Sequence, residues 1–225
     1  MTRSLLALAA VLTLPLAACG DVGEAPEAVT TDVTPSSEAI AFTGTAWPIA
    51  ASDSTVTWIG AKLTGNHPGG FNDVTGSVYV DGEQVTGADV LIDATSITSD
   101  NDRLTGHLQS ADFFDVATYP EARFQTNDLR AVTAADSLGE DSPATHIVTG
   151  QLTLRGETRT VRFPATVTMD GGRATVQAAF LIDRTDWGLT YPGAADDLIN
   201  ENVRIALAVA AAPAGDAAPE PVATP

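Results

Sequence analysis

The sequence predicts an all-β unit, an antiparallel sheet with one apolar and one wet face. From Val148 to Val209 alternate residues are apolar along four successive stretches: Val148, Leu152 and Leu154; Val161, Phe163, Ala165, Val167 and Met169; Ala174, Val176, Ala178, Phe180 and Ile182; Val203, Ile205, Leu207 and Val209. The residues between them, Thr160, Arg162, Thr166, Arg173, Gln177 and Arg204 among them, are mostly polar or small, as in strands with one solvated side. Turn signals at Asp81-Gly82, Arg155-Gly156 and Asp170-Gly171-Gly172 punctuate the chain, the last two joining neighbouring stretches as hairpins. Such a sheet must bury its apolar side, and without long helices to cover it a closed barrel or a sandwich is the expected solution.

Upstream, Thr45 to Ile49, Thr55 to Lys62, Phe71 to Val80, Val85 to Thr95 and Ala122 to Val132 read as further strands, about eight or nine in all. Val56, Trp58 and Gly60 share one face with Lys62 next in register, and Val74, Gly76, Val78 and Val80 share another. One segment breaks this rhythm. Between Asp100 and Asp115, Leu104, Leu108, Ala111 and Phe114 recur at spacings of three and four, with Asp100 to Asp102 placed to cap the start and Gly106 weakening the middle. This predicts a short helix that covers one end of a barrel, with Phe113 and Phe114 at its close. Small residues also fall on inward parities: Gly60, Gly76, Gly150, Ala165, Ala174 and Ala178. They fit two readings equally, a barrel holding one elongated ligand and a filled barrel whose side chains follow its taper.

The ends of the 225-residue chain differ from its middle. Residues 1 to 18, with Arg3 followed by an apolar run from Leu5, read as a secretory signal too short to span a membrane stably. Leu16-Ala17-Ala18-Cys19 resembles the lipobox of bacterial lipoproteins, which implies acylation of Cys19 and attachment to a membrane. Gly20 after the cysteine points to the outer membrane, with the domain facing the periplasm. Residues 19 to 44 carry only acidic charges and read as a disordered tether, and residues 211 to 225 as a disordered Ala/Pro-rich tail. Cys19 is the single cysteine, so no intramolecular disulfide forms. With 29 acidic against 11 basic residues and a net charge of −18, the surface argues against nucleic acid as a partner.

Six stretches, in order, resemble the bacterial YceI-like, polyisoprenoid-binding family: Trp58-Ile59-Gly60 with Gly65-Asn66-His67-Pro68-Gly69-Gly70-Phe71; Ile92-Asp93-Ala94-Thr95-Ser96-Ile97; His107-Leu108 with Asp112-Phe113-Phe114-Asp115; Tyr119-Pro120 with Phe124; Gly150-Gln151-Leu152-Thr153-Leu154-Arg155-Gly156; and Asp183-Arg184-Thr185-Asp186-Trp187-Gly188. The resemblance spans residues 45 to 210. It implies an eight-stranded, lipocalin-like antiparallel barrel whose interior holds an isoprenoid or similar amphiphilic lipid, with no cofactor besides that lipid. The lipobox and acidic tether depart from the freely soluble layout of many relatives.

An apolar ligand is held mainly by area removed from water, so the inward residues Trp58, Phe71, Val78, Phe113, Phe114, Phe124, Leu152, Phe163, Phe180 and Trp187 are the candidate ligand contacts, with ordinary core packing as the competing role for each. For a polar or phosphorylated ligand end the candidates are Lys62, His67, in a Gly/Pro-rich loop, and Arg184, against which stands an ion pair of Arg184 with Asp183 or Asp186. The spacing of His67, His107 and His146 does not suggest a metal site, and His107 reads as a hydrogen-bonded residue on the inner edge of the helix. Asp93, Asp183 and Asp186 are conceivable hydrolytic carboxylates but fit turn and strand-end roles better, and neither a Gly-x-Ser-x-Gly elbow nor a His-Glu-x-x-His motif occurs. The expectation is a binding protein; an enzyme acting on isoprenoid lipids and a filled barrel acting as an interaction module are the alternatives. The sequence does not separate a monomer from a homodimer.

Overall fold

A computed structural model describes residues 21–33, 40–139 and 142–214. The expected signal peptide, Cys19 and the tail from residue 215 onward lie outside the described residues. In chain order the strands are β1 (Val29–Asp32), β2 (Thr45–Pro48), β3 (Thr55–Lys62), β4 (Gly65–Phe71), β5 (Val74–Asp81), β6 (Gln84–Asp93), β7 (Ile97–Ser99), β8 (Glu121–Ala131), β9 (His146–Leu154), β10 (Glu157–Asp170), β11 (Arg173–Asp183), β12 (Gly193–Ala194), β13 (Asp197–Leu198) and β14 (Asn202–Ala211). One helix, α1 (Asp102–Gln109), stands between β7 and β8.

Hydrogen bonding runs β2-β5-β6-β8-β9-β10-β11-β14-β3-β4-β7, each neighbour antiparallel to the next. The sheet returns to its start through β2 and β3. β2 pairs with β5, Trp47 opposite Val78; the Ile49 N–H then donates to Gly76 O, Ala50 N–H to Ala210 O, and Ile49 bridges Ala211. From there β3 lies along β14, Trp58 opposite Ile205. Counting β2 and β3 as two halves of one wall strand, the wall has eight positions, and the expected barrel is present. The alternation holds because its inward residues build one interior, in which Val78, Val161 and Ala174 are fully buried. The β10–β11 hairpin turns on Gly171 and Gly172, at φ of 54° and 78°, a region that favours glycine.

Four expectations are corrected. The strand read from Phe71 to Val80 is divided: β4 ends at Phe71, and the Asn72 and Asp73 N–H groups donate to Ser96 Oγ before β5 begins. The Gly/Pro-rich stretch carrying His67 is strand β4 and no loop, paired with β3 and, at Gly69 to Phe71, with β7. Its glycines serve a close approach. A Cβ on Gly69 would lie 2.2 Å from Thr98 O and 2.2 Å from Trp58 Cζ2, so the indole lies flat against β4 only because position 69 has no side chain. The helix is shorter than the periodicity predicts and is capped by Asn101, whose Oδ1 accepts from the Arg103 and Leu104 N–H groups, while the chain beyond Gln109 turns back with Phe114 N–H donating to Leu108 O.

The fourth correction concerns the tether. Residues 29–32 pair with Arg162 to Arg159 of β10, Ala28 N–H donates to Leu181 O of β11, and Leu181 N–H donates to Pro26 O. β11 pairs with β10 only from Gln177 toward the hairpin. Beyond that point the two strands part, and β1 occupies the seam. Composition alone disfavoured order here, but two strand edges with unmet backbone groups offer this segment hydrogen bonds that an isolated tether lacks.

The Gly69→Ala variant is expected to lose about 1–3 kcal/mol of stability, read as a lower urea midpoint at unchanged slope, because Trp58 or β7 must shift to admit one methyl group.

Candidate ligand-binding site

The barrel encloses a cavity of about 690 Å³ that runs nearly its full length. Val78, Val85, Ala88, Val176 and Val209 form its floor, at the end where the β5–β6 and β10–β11 hairpins turn. Its middle is walled by Val56, Trp58, Val90, Ile92, Leu152, Val161, Ile205 and Leu207, together with Phe124, Phe163 and Phe180. Phe163 and Phe180 stack at 4.1 Å, one from each strand flanking the β10–β11 seam, and Phe124 leans on Phe163 at 5.7 Å. At the opposite end Lys62, His67, Asn101, Arg103, Leu104, His107, Leu189 and Ile199 surround the mouth. Solvent-exposed lining residues occur only at this end, where α1 stands over the opening, as its amphipathic pattern requires.

Nine of the ten ligand contacts predicted from the sequence, Trp58, Phe71, Val78, Phe113, Phe114, Phe124, Leu152, Phe163 and Phe180, line this cavity. Trp187 does not. It is fully buried in the same apolar cluster as Phe163 and Ile182, its Nε1–H donating to Leu152 O at 3.0 Å, without bordering the cavity. Of the small inward residues only Gly60 lines the cavity. Gly150 instead lies beneath the Phe124 ring, which a Cβ there would strike at 2.4 Å. Asn101, Arg103, Leu104, Leu189 and Ile199 were not foreseen: the 189–199 segment has no periodic signal, and the polar helix residues reach the mouth only through the placement of α1.

All three headgroup candidates border the cavity, in different electrostatic states. Lys62 Nζ lies 2.5 Å from Asp197 Oδ2, and Asp197 also accepts from Thr64 N–H and Oγ1; the hydrogen bond from Lys62 holds its carboxyl below the usual carboxylate range. His67 Nδ1 lies 2.9 Å from Asp100 Oδ1, and His107 Nε2 3.0 Å from Asp112 Oδ2, with the His107 ring edge-on to Phe113 and Tyr191. Arg184 differs. It is 6% exposed, and its guanidinium donates to the carbonyls of Asn200, Leu189 and Ile199. The alternative pairing with Asp183 or Asp186 is absent: Asp183 Oδ1 accepts from Thr185 N–H and Oγ1, while Asp186 offers its backbone carbonyl to Arg159. Burial pushes the Arg184 guanidinium below the ordinary arginine value, against the pull of the Asp183 and Glu201 carboxylates. It stays cationic at neutral pH, a buried charge whose hydrogen bonds go to carbonyl dipoles.

Asp93 mirrors Asp183, its Oδ1 accepting from Thr95 N–H and Oγ1. Both carboxylates thus close Asp-x-Thr turns at strand ends. Among the described residues no group of three or more His, Cys, Asp or Glu is placed to hold a metal ion, and no helix is long and apolar enough to cross a membrane.

A UPF0312 protein of Pseudomonas putida is 32% identical over 145 residues, covering 61% of this chain and 71% of that relative. Another from Pseudomonas savastanoi pv. phaseolicola is 31% identical over 133 residues, 56% of this chain and 65% of its own. Among solved structures, Burkholderia cenocepacia BcnA superposes with a TM-score of 0.60 at 22% identity, over 72% of this chain and 99% of its own. A polyisoprenoid binding domain from Saccharophagus degradans superposes at 0.59 and 20% identity, over 74% and 98%. These two likenesses are of fold. The YceI-like domain family itself matches residues 47–211, from Trp47 within β2 to the last residue of β14, and the chain belongs to that family.

Proposed function

We propose that this chain is a membrane-tethered lipid-binding protein of the bacterial envelope, held through acylated Cys19, facing the periplasm and directed to the outer membrane by its Gly20. Its barrel takes up one polyisoprenoid or similar amphiphilic lipid for carriage, storage or protection and makes or breaks no bond in it. The observation that carries the reading is a cavity apolar over its floor and middle but for Thr126, whose hydroxyl accepts from Ala88 N–H, with the charged groups gathered at one end. Each 100 Å² of ligand surface withdrawn from water there contributes about 2.5 kcal/mol before the costs of association. That the Saccharophagus degradans domain of similar fold is a polyisoprenoid binding domain supports the reading. A binding role without turnover is supported by the two Asp-x-Thr carboxylates, which are committed to local turns.

Native mass spectrometry of the chain purified from the bacterial envelope, followed by organic extraction, tests the reading directly. A discrete adduct extracting as one isoprenoid or amphiphilic lipid is expected. A clean ligand-free mass with no uptake of added polyprenyl phosphate or quinone would overturn it in favour of an interaction module.

Ala88 lies on the cavity floor, so Ala88→Phe fills space the ligand tail would use. Uptake of long-chain isoprenoid is expected to fall at least about tenfold, equivalent to about 1.4 kcal/mol, with thermal stability kept. Arg184 supplies the anion-binding end of the same pocket. Arg184→Gln is expected to lower the preference for a polyprenyl phosphate over the uncharged prenol of equal length about tenfold, in line with one charge-assisted contact, with Arg184→Lys recovering part of it. Equal losses for both ligands would assign Arg184 to loop support alone.

A further inference from the structure

The N-terminal segment does more than fill the β10–β11 seam. Before reaching it, the chain crosses the outer face of the barrel beside the mouth. Asn66 Nδ2, next to the mouth residue His67, donates to Asp21 O at 2.9 Å. Val22 is 5% exposed, and Gly23 passes over the Arg204 side chain at the start of β14, where a Cβ would lie 3.9 Å from Cδ. The described chain therefore begins on the rim of the cavity. Cys19 is two residues earlier, within about 7 Å of Asp21 by covalent reach alone.

The same rim carries two uncovered apolar side chains. Leu63 and Leu198 are 55% and 49% exposed, and Leu63 N–H donates to Leu198 O, so they sit on adjoining hairpin tips. Each directly follows or precedes a mouth residue, Lys62 and Ile199. Of the carboxylates near these tips, Asp197 is paired with Lys62 and Asp100 with His67 when protonated, which leaves the exposed Asp196 on the β12–β13 turn as a single unpaired charge among the described residues. Among the described residues the rim carries one exposed cation without a carboxylate partner, Arg103, and no basic cluster, and the chain carries a net charge of −18. This combination suits an uncharged or zwitterionic surface and disfavours a strongly anionic one.

We infer that the barrel docks mouth-first on a zwitterionic lipid surface, with Leu63 and Leu198 dipping into it and the Asp21–Asn66 contact holding the anchored end at the rim. The inference rests on the membrane-tether reading above and deepens it. A flexible 26-residue leash would let the mouth point anywhere; a strap fixed at the rim leaves the anchor and the opening on one side. Lipid then passes between bilayer and cavity without crossing water.

The test uses the full acylated chain in phosphatidylethanolamine-containing vesicles. With Cys19 acylated, a bimane label is placed through Asp196→Cys, on the β12–β13 turn beside the leucines, or through Glu83→Cys, on the β5–β6 turn at the opposite end. Brominated lipids are expected to quench the label at position 196 at least threefold more strongly than at position 83, and Leu63→Asp with Leu198→Asp is expected to remove the difference. Equal quenching on vesicle-bound protein would overturn the orientation and leave the tether standing. Shielding of position 196 by dimerisation in detergent, with no quenching on vesicles, would also overturn it and assign the leucines to a second copy. Protein that stays off the vesicles and lacks acyl mass on its Cys19 peptide would remove the tether reading, and the orientation with it.

Discussion

The pairing of β3 with β14, extended by the Ile49–Ala211 bridge, joins the two ends of a curled sheet, and the cavity exists only while that junction holds. An amphipathic sheet can hide its apolar face by collapsing on a second layer or by closing on itself. Here a single wall strand is divided between two neighbours, its first half on β5 and its second on β14. Closure leaves the inward side chains facing one another across open space. The aromatic trio of Phe124, Phe163 and Phe180 narrows that space without filling it.

The chemistry of the interior follows from where charge is tolerated. A cation in an apolar wall costs free energy unless its donors are met. Arg184 meets this condition with backbone carbonyls from the 189–200 segment, and those bonds also fix the segment that forms one side of the mouth. Lys62, by contrast, spends its charge on Asp197, and the two histidines face carboxylates. Five cationic or potentially cationic groups, Arg103 among them, therefore border one opening, and the buried Arg184 differs from Lys62 and the two histidines in lacking a carboxylate partner among the described residues.

Much of this was legible in the sequence because period-two alternation is a local property. Val161, Phe163, Phe180, Ile205 and Leu207 face inward as their parity requires. The small inward residues misled, since parity reports which face a residue is on and not what lies opposite: Gly150 makes room for the Phe124 ring, and Gly69 for Trp58. Trp187 was misplaced for a related reason. It sits in a 3-10 turn at Arg184–Trp187, outside any strand, where alternation does not apply. The β1 strand was invisible because its order comes from the gap between β10 and β11, a feature made by distant residues.

Trp58 lies opposite Ile205, and these partners stand near opposite ends of the described chain. During synthesis the N-terminal half of the wall is made long before β14, so its apolar face has no closing partner until the last strand appears. Barrel closure is then a late, long-range event, slowed by the entropy of joining distant segments. Over that interval the inward residues of β3, β5 and β6 form an exposed sticky edge, and aggregation rather than misbinding is the hazard that a folding helper would have to suppress.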